Sequence, residues 1–272
     1  MRIDGSRIVI TGASSGIGQS LSWITAGKGG SLVLASRNVD RLRAMASQIK
    51  KEFPETPEPL ALRCDVADRR SVHSLIDTAT RRLGGIDILI NNAGISVYGD
   101  TERTPVEDFE RLFDVNFFGP LYGMLEVIPQ MKAKNHGIIV NVASLAAIHG
   151  VPYLGAYGAS KAALAVLGQS LRAELSEHRI KIINVYPSYT RTNIFEREKK
   201  VGGARRPDTY YAPAVNVAGA VAKAIETEKP ELVLSLEGRA MALLKGVLPK
   251  LVANAMERIA SSLREREEVC HG

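Results

Sequence analysis

Three side chains in the middle of the chain have the types and spacing of a proton-transfer group. Tyr157 and Lys161 stand four residues apart in YGASK, and Ser144 lies thirteen residues before the tyrosine. Residues four apart on a helix share a face, so the ammonium group would stand beside the phenol. A unit charge ~4 Å away, at an effective dielectric of about 20, supplies the roughly 4 kcal/mol that lowers a phenol pKa from ~10 by about 3 units. The spacing predicts a tyrosine acid–base catalyst, although such a pair alone also occurs on solvated helix faces.

A glycine-rich turn near the N-terminus is typical of a dinucleotide-phosphate site. The apolar run Ile8–Ile10 predicts a buried strand, and Leu21 lies in the first turns of a predicted helix. Between them stand Gly12, Gly16 and Gly18. Glycines let the backbone approach a pyrophosphate, and the helix N-terminus offers free N–H groups and a positive dipole end. The spacing G-x-x-x-G-x-G differs from the G-x-G-x-x-G fingerprint, but it uses the same physics.

The elements that must position these residues alternate regularly along the chain. Further strands are predicted over residues 31–35, 60–63, 86–90, 137–142, 181–186 and 231–234. Further helices are predicted over residues 39–50, 68–83, 105–134, 152–178 and 213–227, with a last helix from about residue 238. Thr104 and Glu107 have the spacing of a capping box at the start of the helix 105–134. This alternation predicts an α/β fold with a doubly wound parallel seven-stranded sheet and helices on both faces.

Composition narrows the class of protein. A chain of 272 residues with 45% hydrophobic and 24% charged residues fits one globular domain. No N-terminal apolar segment resembles a signal peptide, and no run of about 18 apolar residues predicts a membrane span. Cys64 and Cys270 are too few for a disulfide framework, and no Cys/His spacing predicts a metal site. The net charge of +6 is too small to indicate nucleic-acid binding. We expect a cytoplasmic protein.

Six motifs in this order resemble the short-chain dehydrogenase/reductase family. They are TGASSGIG (11–18), CDV (64–66), NNAG (91–94), VNFFG with Asn116, NVAS with Ser144, and YGASK (157–161). The resemblance runs from residue 7 to about residue 192. It implies a Rossmann-like fold that carries a nicotinamide cofactor and the substrate on one domain. We therefore expect a catalytic domain over residues 1–237, with a substrate lid at about 188–212, and a helical extension over residues 238–272.

The resemblance also implies roles for particular residues. The catalytic set would be Asn116, Ser144, Tyr157 and Lys161. Tyr157 would donate or accept the proton, Ser144 would orient the substrate oxygen, and Lys161 would lower the tyrosine pKa and hold the nicotinamide ribose. Asn116 would hold a water that links Lys161 to solvent.

The implied cofactor site extends over much of the sheet edge, and Asn91 would brace the sheet beside it. Its expected residues are Gly12, Ser14, Ser15, Gly16, Ile17, Gly18, Ser36, Arg37, Asp65, Val66, Asn92, Ala93, Gly94, Tyr157, Lys161, Pro187, Thr190 and Thr192. The family usually has Pro-Gly where this chain has Pro187 and Ser188, so the loop beside the nicotinamide departs from the pattern.

The residues after the second predicted strand indicate which cofactor is used. An acidic residue about 20 positions after the glycines would bind a ribose 2′-hydroxyl. This chain has Ser36 and Arg37 there. A guanidinium suits a 2′-phosphate, so we predict NADP(H), although Arg37 is also compatible with an ordinary exposed loop.

The substrate walls are apolar and aromatic. By family analogy the substrate residues are Ser144, Leu145, Tyr98, Tyr153 and Tyr189, which favours a hydrophobic carbonyl or alcohol. His149 would be a polar residue at the rim rather than a second acid.

Two segments in the last third of the chain are rich in basic residues. Residues 191–206 hold six basic side chains against Glu196 and Glu198, which predicts a solvated lid or, as the alternative, a surface for an acidic group. The last helix has an apolar stripe and basic flanks, and Pro249 predicts a bend in it. The stripe consists of Ala240, Leu244, Val247, Leu248, Leu251, Ala255, Ile259 and Leu263. It predicts packing on this domain or a neighbouring subunit, with a membrane surface as the alternative.

Three functions are compatible with these residues. The leading hypothesis is an NADP(H)-dependent ketoreductase or alcohol dehydrogenase. A dehydratase- or epimerase-like enzyme of the same fold is disfavoured because the catalytic set is intact. A catalytically silent NADP(H)-binding sensor or scaffold is the alternative from another class. The resemblance implies a homodimer or homotetramer through helices 105–134 and 152–178.

Overall fold

A seven-stranded parallel sheet organises the chain. The computed structural model describes residues 2–192, 194, 198–209 and 211–264. The strands of the central sheet are β1 (Arg7–Thr11), β2 (Ser31–Ser36), β3 (Leu60–Arg63), β4 (Ile88–Asn91), β6 (Gly137–Val142), β7 (Ile180–Tyr186) and β11 (Glu231–Val233). Their order is β11-β7-β6-β4-β1-β2-β3, with every pair parallel. The predicted doubly wound, Rossmann-like sheet is confirmed.

Four short strands lie outside this sheet and were not predicted. Strand β5 (Val97–Gly99) pairs with β9 (Lys199–Val201), and β8 (Thr190–Arg191) pairs with β10 (Ala212–Pro213). The first pair ties the region predicted as a lid to the turn after β4, and the second joins the two ends of that region.

Helices cover both faces of the sheet. They are α1 (Gly16–Gly27), α2 (Val39–Glu52), α3 (Arg69–Leu83), α4 (Val106–Phe113), α5 (Gly119–Ala133), α6 (Gly155–Glu174), α7 (Ala214–Glu226), α8 (Leu236–Val247) and α9 (Pro249–Leu263). Within β1, Ile8 and Ile10 face the core beneath α1, α2 and α7, whereas Val9 faces the core beneath α3, α5 and α6. Strands buried on both faces read as continuous apolar runs, which is why the sequence showed them clearly. None of the helices in the described ranges combines the length and apolar composition of a bilayer-spanning segment.

Several predicted helix boundaries were wrong. The helix expected over 105–134 contains a π-helical turn at Asp114–Phe118, between α4 and α5. The capping box at Thr104 does not form, because the Thr104 hydroxyl donates to the carbonyl of Asp100 at 2.9 Å. The helix expected from residue 152 begins only at Gly155, since Tyr153 has a left-handed backbone with φ of 64°.

The chain after residue 235 forms two helices rather than one. Helix α8 ends at Val247 and α9 begins at Pro249. Leu248 between them has φ of −130° and ψ of 60°, outside the helical region. Proline cannot donate the hydrogen bond that would continue a helix, so Pro249 is found at the first position of the next one.

Candidate active site

A cavity of about 1120 Å³ lies at the carboxyl ends of the central strands. The strand order reverses between β4 and β1, and ligands of open α/β sheets bind outside such a switch point. We call the part lined by Gly12, Gly16 and the first turn of α1 the glycine end. The roofed end is the part lined by the residue after the last strand and by residues of the two last helices: Leu234, Leu236, Met241, Met256, Ile259, Ser262 and Leu263.

The glycine end depends on close backbone packing. Gly12 and Gly16 have φ of +66° and +57°, which side-chain-bearing residues rarely adopt. A Cβ on Gly18 would lie 2.5 Å from the Gly12 carbonyl oxygen and would also meet the Asn92 side chain. These contacts hold the start of α1 against the turn after β4.

The first turn of α1 leaves its backbone N–H groups available to a ligand. Within the described residues, the side chain of the N-cap residue Ser15 makes no capping bond, and the first turn has no acidic residue. By contrast, Asn38 and Asp68 cap α2 and α3 through their side chains. Unpaired N–H groups and the positive dipole end favour an anion at this point.

A hydrogen-bonded turn joins β4 to β1 beside the glycines. The Asn92 side-chain amide donates to the carbonyls of Thr11 and Gly12 at 2.9 and 3.2 Å. The Thr11 hydroxyl accepts from the backbone N–H groups of Asn92 and Ala93. Asn92, Ala93 and Gly94, which we expect to contact the cofactor, all line the cavity.

Buried asparagines brace the sheet below the cavity. Asn91, Asn141 and Asn184 occupy matching positions on β4, β6 and β7. The Asn91 amide donates to Asn141, the Asn141 amide donates to Asn184, and the Asn184 amide donates to the Ala165 carbonyl on α6. The predicted bracing role of Asn91 is therefore part of a longer ladder that ties α6 to the sheet.

The other predicted cofactor residues divide into those that line the cavity and one that supports it. The lining residues are Ser14, Ser15, Ile17, Ser36, Arg37, Asp65, Val66, Pro187, Thr190 and Thr192. Gly18 is buried behind the turn. Thr192 lies over Gly16, since a Cβ on that glycine would approach the Thr192 side chain to 2.8 Å. At Ser188, where the chain departs from the family pattern, the backbone still lines the cavity and its carbonyl accepts from the Thr190 hydroxyl.

Ser144, Tyr157 and Lys161 meet at the centre of the cavity. All three line it. The Ser144 hydroxyl hydrogen-bonds the Tyr157 phenol, and the Lys161 ammonium donates to the Val142 carbonyl at 2.8 Å. Helix α6 therefore presents Tyr157 and Lys161 on one face, as the four-residue spacing predicted.

The pKa of Tyr157 departs from the expectation. Burial raises it, and this effect is larger than the lowering by the Ser144 hydrogen bond. Burial also lowers the pKa of Lys161 to about 8, because a charged ammonium loses its hydration there. Lys161 is not among the groups that shift the Tyr157 pKa, which burial raises and Ser144 and Arg206 lower, so the predicted lowering by Lys161 is not seen.

Asn116 supports the site from the π-helical turn. Its side chain is fully buried. It accepts from the Ile95 backbone N–H and donates to the Ile95 carbonyl and the Ser160 hydroxyl, each at 3.0 Å. Both amide hydrogens and the oxygen are thus used by protein partners. The side chain acts as a brace between α6 and the turn after β4.

Two of the predicted substrate residues are displaced from the cavity. Leu145 and Tyr189 line it, but Tyr98 and Tyr153 support its surroundings. The Tyr98 hydroxyl donates to the Arg205 carbonyl at 2.6 Å, and the Tyr153 hydroxyl donates to the Ala260 carbonyl on α9 at 2.9 Å. Each tyrosine hydroxyl therefore binds a segment far along the chain, and the position of the tyrosine in the sequence alone could not reveal this contact.

The described part of the lid is anchored by a buried ion pair. The Glu198 side chain is inaccessible to solvent and pairs with Arg206, and the Ser96 hydroxyl donates to it at 2.5 Å. The Arg206 guanidinium also lies 4.4 Å above the Tyr98 ring. Lys199 pairs with Asp108 on α4. Glu198 and Arg206 are thus held largely inside the protein, whereas Lys199, Lys200 and Arg205 are exposed, as a solvated lid predicts. Glu196 and Arg197 lie outside the described residues.

His149 is more enclosed than a rim residue. It lines the cavity, and neither ring nitrogen has a hydrogen-bond partner among the residues that the structure describes. Burial and the nearby Lys245 lower its pKa, so the neutral imidazole is favoured. It presents a polar group on an otherwise apolar wall.

Sequence reasoning missed the residues of the roofed end. Met241, Met256 and Leu263 were considered only as parts of a helix outside the catalytic domain, yet they line the cavity. The available signal was the run of apolar residues after residue 235, but periodicity does not say where a helix packs. No group of three or more His, Cys, Asp or Glu within the described ranges could hold a metal ion.

Comparison with known proteins identifies related sequences. The sequence profile of the short chain dehydrogenase family matches residues 6–201. The chain is 30% identical over 258 residues to the uncharacterized oxidoreductase YxnA of Bacillus subtilis (strain 168), covering 93% of this chain and 71% of that protein. It is also 30% identical over 269 residues to a dehydrogenase/reductase SDR family protein 7-like of Anopheles gambiae, covering 96% of this chain and 85% of that protein.

Solved structures share the fold. A short chain dehydrogenase/reductase from Burkholderia phymatum in complex with NAD superposes with a TM-score of 0.83 at 26% identity, covering 92% of this chain and 96% of that chain. An alcohol dehydrogenase from Thermococcus sibiricus complexed with 5-hydroxy-NADP gives a TM-score of 0.76 at 25% identity, covering 85% and 96%. The residues matched by the family profile include the glycine turn, Ser144, Tyr157 and Lys161.

Proposed function

The chain belongs to the short-chain dehydrogenase/reductase family, and we propose that it is an NADP(H)-dependent oxidoreductase that interconverts a hydrophobic carbonyl and its alcohol. The observation that carries this proposal is that Ser144, Tyr157 and Lys161 line the same cavity as the glycine turn. A proton donor and a phosphate-binding turn in one cavity can serve a single reaction.

The glycine end fits a dinucleotide. The positive φ of Gly12 and Gly16 and the uncapped start of α1 provide a close, anion-favouring surface for a pyrophosphate. Asp65 and Val66 line the part of the cavity where an adenine would lie, Thr192 lies over Gly16, and Lys161 lines the cavity with Tyr157. When bound, the nicotinamide would supply or accept the hydride.

The protein groups would handle the proton. The raised pKa of Tyr157 keeps its phenol protonated at neutral pH, which suits donation to a carbonyl oxygen during reduction. Ser144 would hydrogen-bond that oxygen and stabilise the charge that develops on it. Lys161, with a pKa of about 8, is mostly cationic at neutral pH and would stabilise the phenolate left after proton transfer.

Arg37 supports NADP(H) rather than NAD(H). It follows the end of β2, is exposed, and lines the cavity beside Ser36 and Asn38. Charge-assisted bonds from a guanidinium to a 2′-phosphate contribute on the order of 1.5–3 kcal/mol, which is about tenfold to a hundredfold in affinity. We expect Arg37→Ala to raise the KM for NADPH by about tenfold or more and to leave the KM for NADH nearly unchanged. Equal changes for both cofactors would contradict this assignment.

The substrate class follows from the walls beyond Tyr157. Leu145, Ile148, Met241 and Met256 offer apolar contacts, and His149 offers one polar contact. Pockets of this kind bind an apolar body and orient it through a few polar groups. A bulky or long-chain ketone with one further polar group fits this arrangement better than a sugar.

The decisive test is turnover. NADPH oxidation should be followed at its near-ultraviolet absorbance with steroids, long-chain acyl ketones and aromatic aldehydes. Tyr157→Phe should lower kcat by about 10²–10⁴-fold, because the proton donor is lost, while NADPH still quenches protein fluorescence on binding. Saturable NADPH binding without turnover of any substrate would instead favour the sensor or scaffold.

A homodimer or homotetramer remains part of the proposal. Phe118, Leu125 and Val166 expose apolar side chains on the helical segments through which the family resemblance implies subunit contact. Sedimentation velocity of the wild type and of Leu125→Glu with Val166→Glu tests this. A monomer at micromolar concentration would contradict it.

A further inference from the structure

The surface formed by α8 and α9 exposes most of its apolar side chains. In α8, Leu236, Leu243, Leu244 and Val247 recur at helical spacing and are all exposed. Leu243 and Val247 are 74% and 76% exposed. The opposite side of α8 faces the domain, where Gly238 packs on Leu145.

Helix α9 continues this surface. Leu248, Leu251 and Ile259 are exposed, whereas Val252, one residue further round the helix than Leu251, is buried. The stripe that sequence periodicity identified is thus mostly turned outward, while a neighbouring face of α9 packs on the domain. We call the outward-facing apolar residues of the two helices the α8–α9 surface: Leu236, Leu243, Leu244, Val247, Leu248, Leu251 and Ile259.

Basic side chains accompany the α8–α9 surface. From residue 236 to residue 264 the chain has five basic residues and two acidic ones. Arg239 and Lys245 donate to the Val233 and Ile148 carbonyls of the domain, whereas Lys250, Arg258 and Arg264 are exposed. Helices that lie in the membrane interface combine an exposed apolar stripe with lysines and arginines that reach anionic head groups. We propose that the α8–α9 surface docks on an anionic lipid surface.

The charge argues against a second copy of this chain as the occupant. In a two-fold symmetric dimer the same patch meets itself, so the basic side chains of one copy would face those of the other. Like charges brought together oppose association, whereas anionic head groups would neutralise them. The exposed apolar residues Leu125 and Val166 already offer another surface for self-association.

The α8–α9 surface is continuous with the cavity. Ile259 is 38% exposed and also lines the roofed end, as does the exposed Leu236. Met241 and Met256 line the cavity from the same two helices. If the proposed function is correct, docking would place the apolar end of the active site against the membrane, where hydrophobic substrates are concentrated. Docking itself does not depend on that function.

Vesicle co-sedimentation of the full chain tests the proposal. Vesicles of phosphatidylcholine alone should be compared with vesicles that also contain about 30% phosphatidylserine. We expect the wild type to bind the anionic vesicles about tenfold more strongly, and added salt to weaken this binding. The double variant Leu243→Asp/Val247→Asp should lose binding by about tenfold or more, since both side chains would otherwise enter the interface.

A matched control changes two exposed valines elsewhere. Val106→Asp/Val215→Asp, at the starts of α4 and α7, should bind vesicles as the wild type does. A third variant, Lys250→Glu/Arg258→Glu, should lose the preference for anionic vesicles. Sedimentation velocity without lipid and circular dichroism should show the same mass and fold for all variants.

Three results would overturn the proposal. One is a wild type that stays in the supernatant with every vesicle, and another is equal loss of binding in the control pair. The third is a lower mass of the assembly in sedimentation velocity for Leu243→Asp/Val247→Asp than for the wild type, which would make a second copy the occupant. Turnover of a water-soluble carbonyl by the Leu243→Asp/Val247→Asp variant reports on the proposed function separately, so failure of one proposal leaves the other testable.

Discussion

The two ends of the cavity are held in different ways. At the glycine end, backbone atoms contact backbone atoms, and hydrogen bonds that Asn92 donates to Thr11 join the turn after β4 to the turn after β1. At the roofed end, flexible apolar side chains such as Met241 and Met256 come from helices far along the chain. Rigid backbone packing suits a ligand whose shape is always the same, whereas flexible methionine side chains can adapt to ligands of varied shape.

The lid shows how the roofed end is kept in place. Glu198 and Arg206 form a buried pair within the lid. The Tyr98 hydroxyl donates to the lid, and the Tyr153 hydroxyl donates to α9. These are few, specific side-chain contacts over long sequence distances. We therefore expect mutations at the glycine end to affect the cofactor and mutations under the lid to affect the substrate.

The largest expected effect is at the glycine end. Gly18→Ala should weaken NADPH binding by about 100-fold, because the new methyl group would push against the Gly12 carbonyl and the Asn92 side chain. Fluorescence titration and thermal unfolding measure this. The matched control is Gly219→Ala in α7, where an added Cβ has no neighbour within 4 Å among the described residues. The control should keep its affinity, and Gly18→Ala with normal affinity would refute tight packing as the basis of this end.

A second prediction concerns Lys161, which lies between the two ends. Its pKa is about 8 when folded and 10.5 ordinarily, so between these values the unfolded chain binds more protons. The free energy of unfolding should therefore rise with pH across this window, by on the order of 2 kcal/mol between about pH 8 and pH 10. Burial of Tyr157 acts in the opposite direction above its ordinary pKa of 10.

A comparison of variants isolates the contribution of Lys161 to the pH dependence of the free energy of unfolding. Urea unfolding should be measured across this pH range for the wild type, for Lys161→Met and for Lys223→Met, which changes an exposed lysine. The rise attributable to Lys161 should be absent from Lys161→Met and present in Lys223→Met. Identical pH profiles for all three proteins would contradict the burial of a charged Lys161.

The smallest expected effect comes from a substitution in the lid, which should change substrate binding at the roofed end and leave cofactor binding at the glycine end unchanged. Glu198→Gln removes the charge that Arg206 faces, which should loosen the lid and raise the substrate KM by about tenfold while NADPH affinity stays constant. Steady-state kinetics and limited proteolysis within residues 198–209 measure this. Lys200→Gln, an exposed change two residues away, is the control. A parallel loss of NADPH affinity would show that the two ends are coupled.

Much of the fold was predictable because its signals are local. The seven central strands appeared as apolar runs, and the glycine turn and the Tyr157–Lys161 spacing were visible without tertiary information. The errors at Thr104 and Tyr153 concern short-range geometry that a neighbouring segment overrides. Thr104 bonds Asp100 instead of capping its helix, and Tyr153 takes a left-handed backbone before α6.

The sequence by itself determined the elements, the sheet class and the residues that carry the chemistry, because periodicity, glycine geometry and helical spacing act over a few residues. Only the tertiary structure decided that burial raises the Tyr157 pKa, that Asn116 is fully bonded to protein, and that α8 and α9 roof the cavity while exposing their leucines. These properties depend on desolvation and on contacts between distant segments, such as that of Tyr153 with Ala260, 107 residues further along the chain. No local pattern encodes them.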